Sequence, residues 1–327
     1  MKRVRCLGRL FFVSCVVLGI ALHFLPRDIA FAQLRSETLP LADLHFHPGP
    51  LFWPNHTPEE ILRVMDRAGV RWAGNGTSGA PDDHWASLVQ TASGRFIPLA
   101  GQDPIRALIL SQGEEAWSLR SPEITRYLER LEEHLRARQF LGIGELFVNN
   151  RNSRPPTAPE SRYPADSPLM RRLFRFAVTY QVPLSIHMDA EPTSVEELER
   201  LLATDRKGTV IWAHCGHAAG DASVVRRLLA QHPNLLCELS GRDDRSRPNP
   251  EVRRRIMITN EGRQLQSEWK ALLEDYSDRF LVGTDSANPG QYQGIVDFFR
   301  AVLAQLTPEA ARRIAHGNAL RLFRLSQ

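Results

Sequence analysis

The stretch LADLHFHPGP, residues 41–50, is a short apolar run that ends in two histidines one position apart and is stopped by a Pro-Gly turn. On an extended chain, residues i and i+2 face the same side with Cα atoms about 6.5–7 Å apart. His45 and His47 are therefore directed toward one point. Two imidazoles side by side are costly to bury without polar partners, so the rest of the chain has to be read for what else arrives there.

Seven further apolar runs follow: VRWAGNG (70–76), RFIPLAG (95–101), FLGIGELFV (140–148), VPLSIHMD (182–189), GTVIWAHCG (208–216), NLLCELSG (234–241) and RFLVGTDS (279–286). Helical segments lie between them. TPEEILRVMDRAG (57–69) opens on a Thr cap and closes on Gly69, and SPEITRYLERLEEHLRARQ (121–139) opens with a Ser cap and a first-turn proline. SPLMRRLFRFAVTYQ (167–181), SVEELERLLATD (194–205), DASVVRRLLAQHP (221–233) and QSEWKALLEDYSD (266–278) likewise carry apolar residues at helical spacing. Strands alternating with helices imply a parallel sheet. Eight such units predict an α/β fold, a (β/α)8 TIM-type barrel, with extra C-terminal helices in 307–327. An open doubly wound sheet is the competing arrangement, weakened because no Gly-rich phosphate loop follows the first run.

The first 32 residues differ in kind. Lys2, Arg3, Arg5 and Arg9 precede an apolar stretch from Leu10 to Leu25, and Ala-Phe-Ala follows at 30–32. That order predicts a secretory signal cleaved after Ala32, the alternative being an uncleaved anchor that leaves the protein membrane-tethered. Residues 33–327 then form one barrel domain, exported to the periplasm or secreted. The whole chain has 41 basic and 37 acidic residues; the leader holds five and one of these, so the remainder carries 36 of each. The sequence pI of about 9.1 thus belongs largely to the leader, and nucleic acid is not an expected partner. Nor is a membrane for the mature chain. Cys215 and Cys237 remain after cleavage, as one disulfide or as two half-buried thiols.

The ends of the runs carry the chemistry. They present His45 and His47, Glu145, His187, His214 and Asp285, from the first, fourth, fifth, sixth and eighth. In a barrel such residues converge on the C-terminal face. Imidazoles and carboxylates so placed bind a divalent cation, Zn²⁺ above all, with Mn²⁺ or Fe²⁺ as alternatives. Asp43, one step deeper on the same face, is expected to steady an imidazole.

The ordered set DLHFH (43–47), GIGEL (142–146), IHMD (186–189), AHCG (213–216), GTDS (283–286) and HGNALRLF (316–323) resembles the amidohydrolase superfamily, in particular its amidohydrolase-related branch of metal-dependent hydrolases and decarboxylases. The resemblance spans nearly all of the mature chain. It implies that His45, His47 and Asp285 bind a buried metal. It further implies that His187 and His214 bind a second one, or that His187 completes the first site and His214 is left for catalysis. Glu145 stands where many relatives have a carboxylated lysine bridging two metals. The activity implied is hydrolysis of an amide, ester or lactone bond in a small molecule by a metal-activated water, with Asp285 moving the proton. The alternative is a decarboxylase with one metal. Phosphoesterase or nuclease activity and a non-catalytic binding barrel are weaker alternatives.

Smaller signals complete the reading. His217 is either a second-layer group or a loop histidine, and Glu238 either faces the site or forms a structural salt bridge. Trp53 and His56 are candidates to line the pocket. The Arg-rich segment 241–266, beginning with Arg242, is either a lid that meets an anionic substrate or a solvated loop. Substrate identity and oligomeric state are not encoded in any motif found.

Overall fold

The computed structural model describes residues 39–76, 81–154, 158–243, 251, 255–286 and 288–325. The expected leader lies outside these residues, as do 244–250 and 252–254 of the Arg-rich segment. Eight strands run in chain order around one sheet: β1 (Leu41–Asp43), β2 (Val70–Asn75), β3 (Phe96–Gly101), β4 (Gly142–Asn149), β5 (Leu184–Met188), β6 (Val210–Ala213), β7 (Leu235–Glu238) and β8 (Phe280–Leu281). Every neighbouring pair is parallel. The first and last strands are joined just past their ends, where the Leu44 N–H donates to the Val282 carbonyl at 2.8 Å and the Asp285 N–H to the His45 carbonyl at 2.6 Å. The result is a nearly closed (β/α)8 barrel.

Alternation along the strands builds two cores. Ala42, Trp72, Ile97, Leu99, Ile211, Leu236 and Leu281 fill the barrel floor, where Ala319 and Phe323 of the C-terminal helix cover them. Leu41, Val70, Phe96, Ile143, Leu184 and Leu235 belong to the larger core that includes the surrounding helices. The helix Pro58–Ala68 shows the local logic: Thr57 and Glu60 form a reciprocal capping box, and Gly69 ends the helix at φ +67°. Three further helices had no clear sequence signal: His84–Thr91, Gln102–Gln112 and Pro289–Leu303. The last buries Tyr292, Ile295, Val296, Phe298, Phe299, Val302 and Leu303. A helix apolar on so much of its surface blurs the periodicity that reveals an amphipathic one.

The helix Ala222–Gln231 supports a pH prediction. Asp221 accepts from the Ser223 and Val224 N–H groups at 3.0 and 2.9 Å. Burial alone would raise its pKa, but these bonds and the Ser223 hydroxyl hold it below the usual carboxylate value of 3.8. A depressed folded-state pKa contributes stability above the unfolded value that is lost as pH falls through the folded one. Asp221→Asn keeps a capping side chain without the charge. The variant should therefore melt below the unaltered protein at pH 7, by no more than about 1 kcal/mol for an exposed cap. The gap in Tm should narrow as pH falls below 3.8 and close only once the folded-state carboxyl is itself protonated.

Candidate metal centre

The middle of β4 delivers Glu145, the C-terminal end of β5 delivers His187, and the residues that follow β1, β6 and β8 deliver His45, His47, His214 and Asp285. Glu145 sits among the four histidines. Its Oε2 lies 3.0 Å from His45 Nε2 and 3.2 Å from His47 Nε2, and its Oε1 lies 2.9 Å from His187 Nδ1 and 3.3 Å from His214 Nε2. Asp285 Oδ1 is 3.8 Å from the inner nitrogens of both His45 and His47. Donor atoms of His45, His47 and Asp285 lie within 4.8 Å of one another, and so do those of Glu145, His187 and His214 and those of His45, His214 and Glu238.

Each imidazole is anchored through its outer nitrogen. His45 Nδ1 is 2.7 Å from Glu238 Oε2, His47 Nδ1 is 2.8 Å from the Gly76 carbonyl, His187 Nε2 is 2.8 Å from Ser153 Oγ, and His214 Nδ1 is 3.1 Å from the Ser240 carbonyl. That pattern leaves four inner nitrogens facing one volume. Outer hydrogen bonds of this kind fix the ring and its tautomer in histidines that ligate metals. The donor set fits a divalent cation for this reason.

Charge points the same way. Burial pulls the His45 pKa down, but Glu145, Glu238 and Asp285 override it and raise it well above the ordinary value. Burial pushes Glu145 and Glu238 up, yet the adjacent His45 charge and hydrogen bonds from the surrounding groups hold Glu145 well below, and Glu238 below, the usual carboxylate range. Asp285 is lowered too, because His45, His214 and His47 outweigh its burial. Burial lowers His214. Three carboxylates, each shifted toward its ionised form, thus crowd the His45 ring, and a cation would relieve that concentration of negative charge.

The backbone is shaped to make room. Gly144, at φ +121°, has no space for a side chain: a Cβ there would stand 2.2 Å from the Ser185 carbonyl oxygen of the next strand. Gly144→Ala is expected to destabilise the protein by at least about 2 kcal/mol, measured as the shift of the denaturant midpoint. After β6 the chain turns through four consecutive left-handed residues, His214 (φ +59°), Cys215 (+47°), Gly216 (+80°) and His217 (+51°). For the three that carry a Cβ this conformation costs about 1 kcal/mol each.

Other expected residues fall in different places. Asp43 touches no imidazole. Its carboxylate accepts from the His45 N–H and from the N–H and hydroxyl of Thr284, and the carboxylate against the His45 ring is that of Glu238. Arg242 does not stand at the mouth but is wholly buried beneath the turn after β6. His217 packs its ring 4.4 Å from that of His214 and 5.7 Å from that of His187. Trp53 is buried against Phe46 and Tyr292, and His56 packs on Trp53; Phe52 is the aromatic beside His47, at 5.9 Å. Cys215 and Cys237 are buried and paired as a disulfide with Cα atoms 5.0 Å apart. Gly76, Ser153 and Ser240, the other outer partners, lie past strand ends, and no motif marks them. A cavity of about 710 Å³ opens elsewhere, against Trp85, Leu131 and Phe140, and holds none of these histidines.

Comparison with known proteins gives a family and a fold. A family model described as amidohydrolase matches residues 42–325. No curated protein matches. Among solved structures, a TatD homolog from Escherichia coli K12 superposes with a TM-score of 0.55 at 14% identity, covering 89% of this chain and 100% of the other. A probable 2-pyrone-4,6-dicarboxylic acid hydrolase from Acinetobacter baumannii, with citric acid bound, gives 0.52 at 12% identity, with 88% and 100% covered. A 2,6-dihydroxybenzoate decarboxylase complexed with 2,6-dihydroxybenzoate gives 0.51 at 15%, with 88% and 99% covered. At these identities the likeness is one of fold.

Proposed function

The chain belongs to the amidohydrolase family, and from that premise we propose that it is a metal-dependent hydrolase that cleaves an amide, ester or lactone bond in a small molecule. The observation that carries this reading is the position of Glu145, whose two oxygens each face a separate histidine pair. A carboxylate so placed suits two cations, which in such sites stand about 3.5–4 Å apart. His45, His47 and Asp285 would hold one; His187 and His214 would hold the other, with Glu145 between. Four imidazoles with carboxylates favour Zn²⁺. When bound, a divalent cation supplies Lewis acidity that lowers the pKa of water from about 15.7 toward 7.

The chain's own residues supply the rest. Asp285, about a third exposed and held ionised, takes the proton of the attacking water and returns it to the leaving group. Glu238, Gly76, Ser153 and Ser240 keep the four rings aimed inward. Arg106 supports an anionic substrate. Its guanidinium lies over the Phe147 ring at 4.2 Å, and Phe147 stacks on His187 at 5.1 Å. Among the described residues no carboxylate pairs with Arg106, and its Nε has no hydrogen-bond partner. A cation held there by ring contacts alone suits a substrate carboxylate. The leader read at residues 1–32 supports an exported enzyme.

A second reading, decarboxylation with one cation, is favoured by His214. Burial keeps its imidazole neutral, and with one cation on the other ligands it would be available to carry a proton. The deciding experiment offers chelator-stripped, Zn²⁺-reloaded protein a panel of amides, esters, lactones and hydroxybenzoates. Hydrolysis that needs the added metal supports the first reading. Release of carbon dioxide without hydrolysis replaces it with the second, and no metal-dependent turnover of any kind counts against both.

A further inference from the structure

Arg242 makes a set of contacts that neither a lid nor an anion-binding arginine would make. It is fully buried, and its hydrogen bonds go to main-chain carbonyls. Nε donates to the His214 carbonyl at 2.8 Å and Nη1 to that of Ile256 at 3.1 Å, while Nη2 shares its two hydrogens among the carbonyls of Cys215 at 2.7 Å, His217 at 3.0 Å and Gly220 at 2.6 Å. The guanidinium lies over the Trp269 ring at 4.7 Å. Four of the five carbonyls belong to residues 214–220, the segment that begins with the left-handed run. Carbonyls turned to one side repel one another, and a flat cation with five directed donors is suited to gather them. Burial lowers the Arg242 pKa to about 9, which still leaves it charged at neutral pH.

We propose that Arg242 is a positioning residue. Its guanidinium holds the strained 214–217 turn closed and thereby directs the His214 imidazole toward Glu145 and His187. The inference rests on the reading of His214 as a ligand or proton carrier, and it adds a role for a residue that touches neither substrate nor metal. Lysine cannot stand in, because an ammonium on a flexible stem offers three donors and no plane to lay on Trp269.

The test uses the full chain with Arg242→Lys, Trp269→Leu, His214→Asn and, as a control for general destabilisation, Leu228→Ala in a neighbouring helix. Two readouts are taken: amide hydrogen exchange of residues 214–220 in metal-free protein, and Zn²⁺ affinity by competition with a chromophoric chelator. Arg242→Lys should speed exchange in 214–220 at least about tenfold beyond the Leu228→Ala control and weaken Zn²⁺ binding by about 10–100-fold. Trp269→Leu should do both to a lesser degree, and it decides the matter if Arg242→Lys does not fold. A folded Arg242→Lys whose exchange in 214–220 matches the control overturns the proposal. If the unaltered chain and His214→Asn bind Zn²⁺ alike, the ligand reading of His214 fails, while the exchange comparison still decides whether Arg242 holds the turn.

Discussion

Glu145→Gln is expected to reduce the metal content from close to two ions per chain to about one, with turnover falling by about 10²–10³-fold. The side chains are nearly equal in size, so the effect is chemical. Glutamine keeps one acceptor oxygen for one histidine pair and presents an NH₂ donor to the other. A pair that now faces a donor cannot share a cation with it, and the site also loses one of its buried negative charges. Elemental analysis of the purified protein beside the variant measures the outcome. About one ion in both proteins would remove the bridged arrangement and move decarboxylation to the front. No ion in either, after attempted reloading, would end the reading of His45 and His47 as ligands.

Asp285→Asn should retain most of the metal yet lose about 10²–10⁴ in kcat. The amide oxygen can still face His45 and His47, where Asp285 Oδ1 now lies at 3.8 Å from each, but an amide cannot take a proton from water. The measurement is turnover of whichever panel compound is hydrolysed, with metal content determined on the same sample. A loss of less than tenfold would assign the proton transfer to another group, and His214 is next in place to perform it.

Much of this is legible in the amino-acid sequence. The eight runs and the strand-end histidines follow from period and spacing, because a barrel sends strand ends to one face. What escaped is the second layer. Asp43 was expected to share a face with His45, but β1 ends at Asp43. Past that point strict alternation no longer holds, and the Asp43 carboxylate bonds to β8-side Thr284 instead. Glu238, which the sequence left open between a site group and a structural ion pair, stands against His45 because β7 closes beside β8. Contact across 193 positions leaves no local trace. Composition groups Arg242 with a charged loop, and composition does not record that the turn after β6 aims its carbonyls inward. Outer partners such as Ser153 and the Gly76 carbonyl are loop groups chosen by geometry alone.

The seam between β1 and β8 bears on how the protein comes into being. His45 and Asp285 are joined there by a main-chain bond, and Asp43 and Thr284, 241 positions apart, meet in the same place. Closing so long a loop carries little more entropy than closing one half its length, about 0.6 kcal/mol, so the delay is one of order rather than energy. His45 and His47 meet Asp285 only once this seam has closed. Until then the first cation pocket lacks its carboxylate from β8. On the proposed reading, metal capture at that pocket follows closure of the barrel, and a tightly held ion marks chains in which the last strand has found the first.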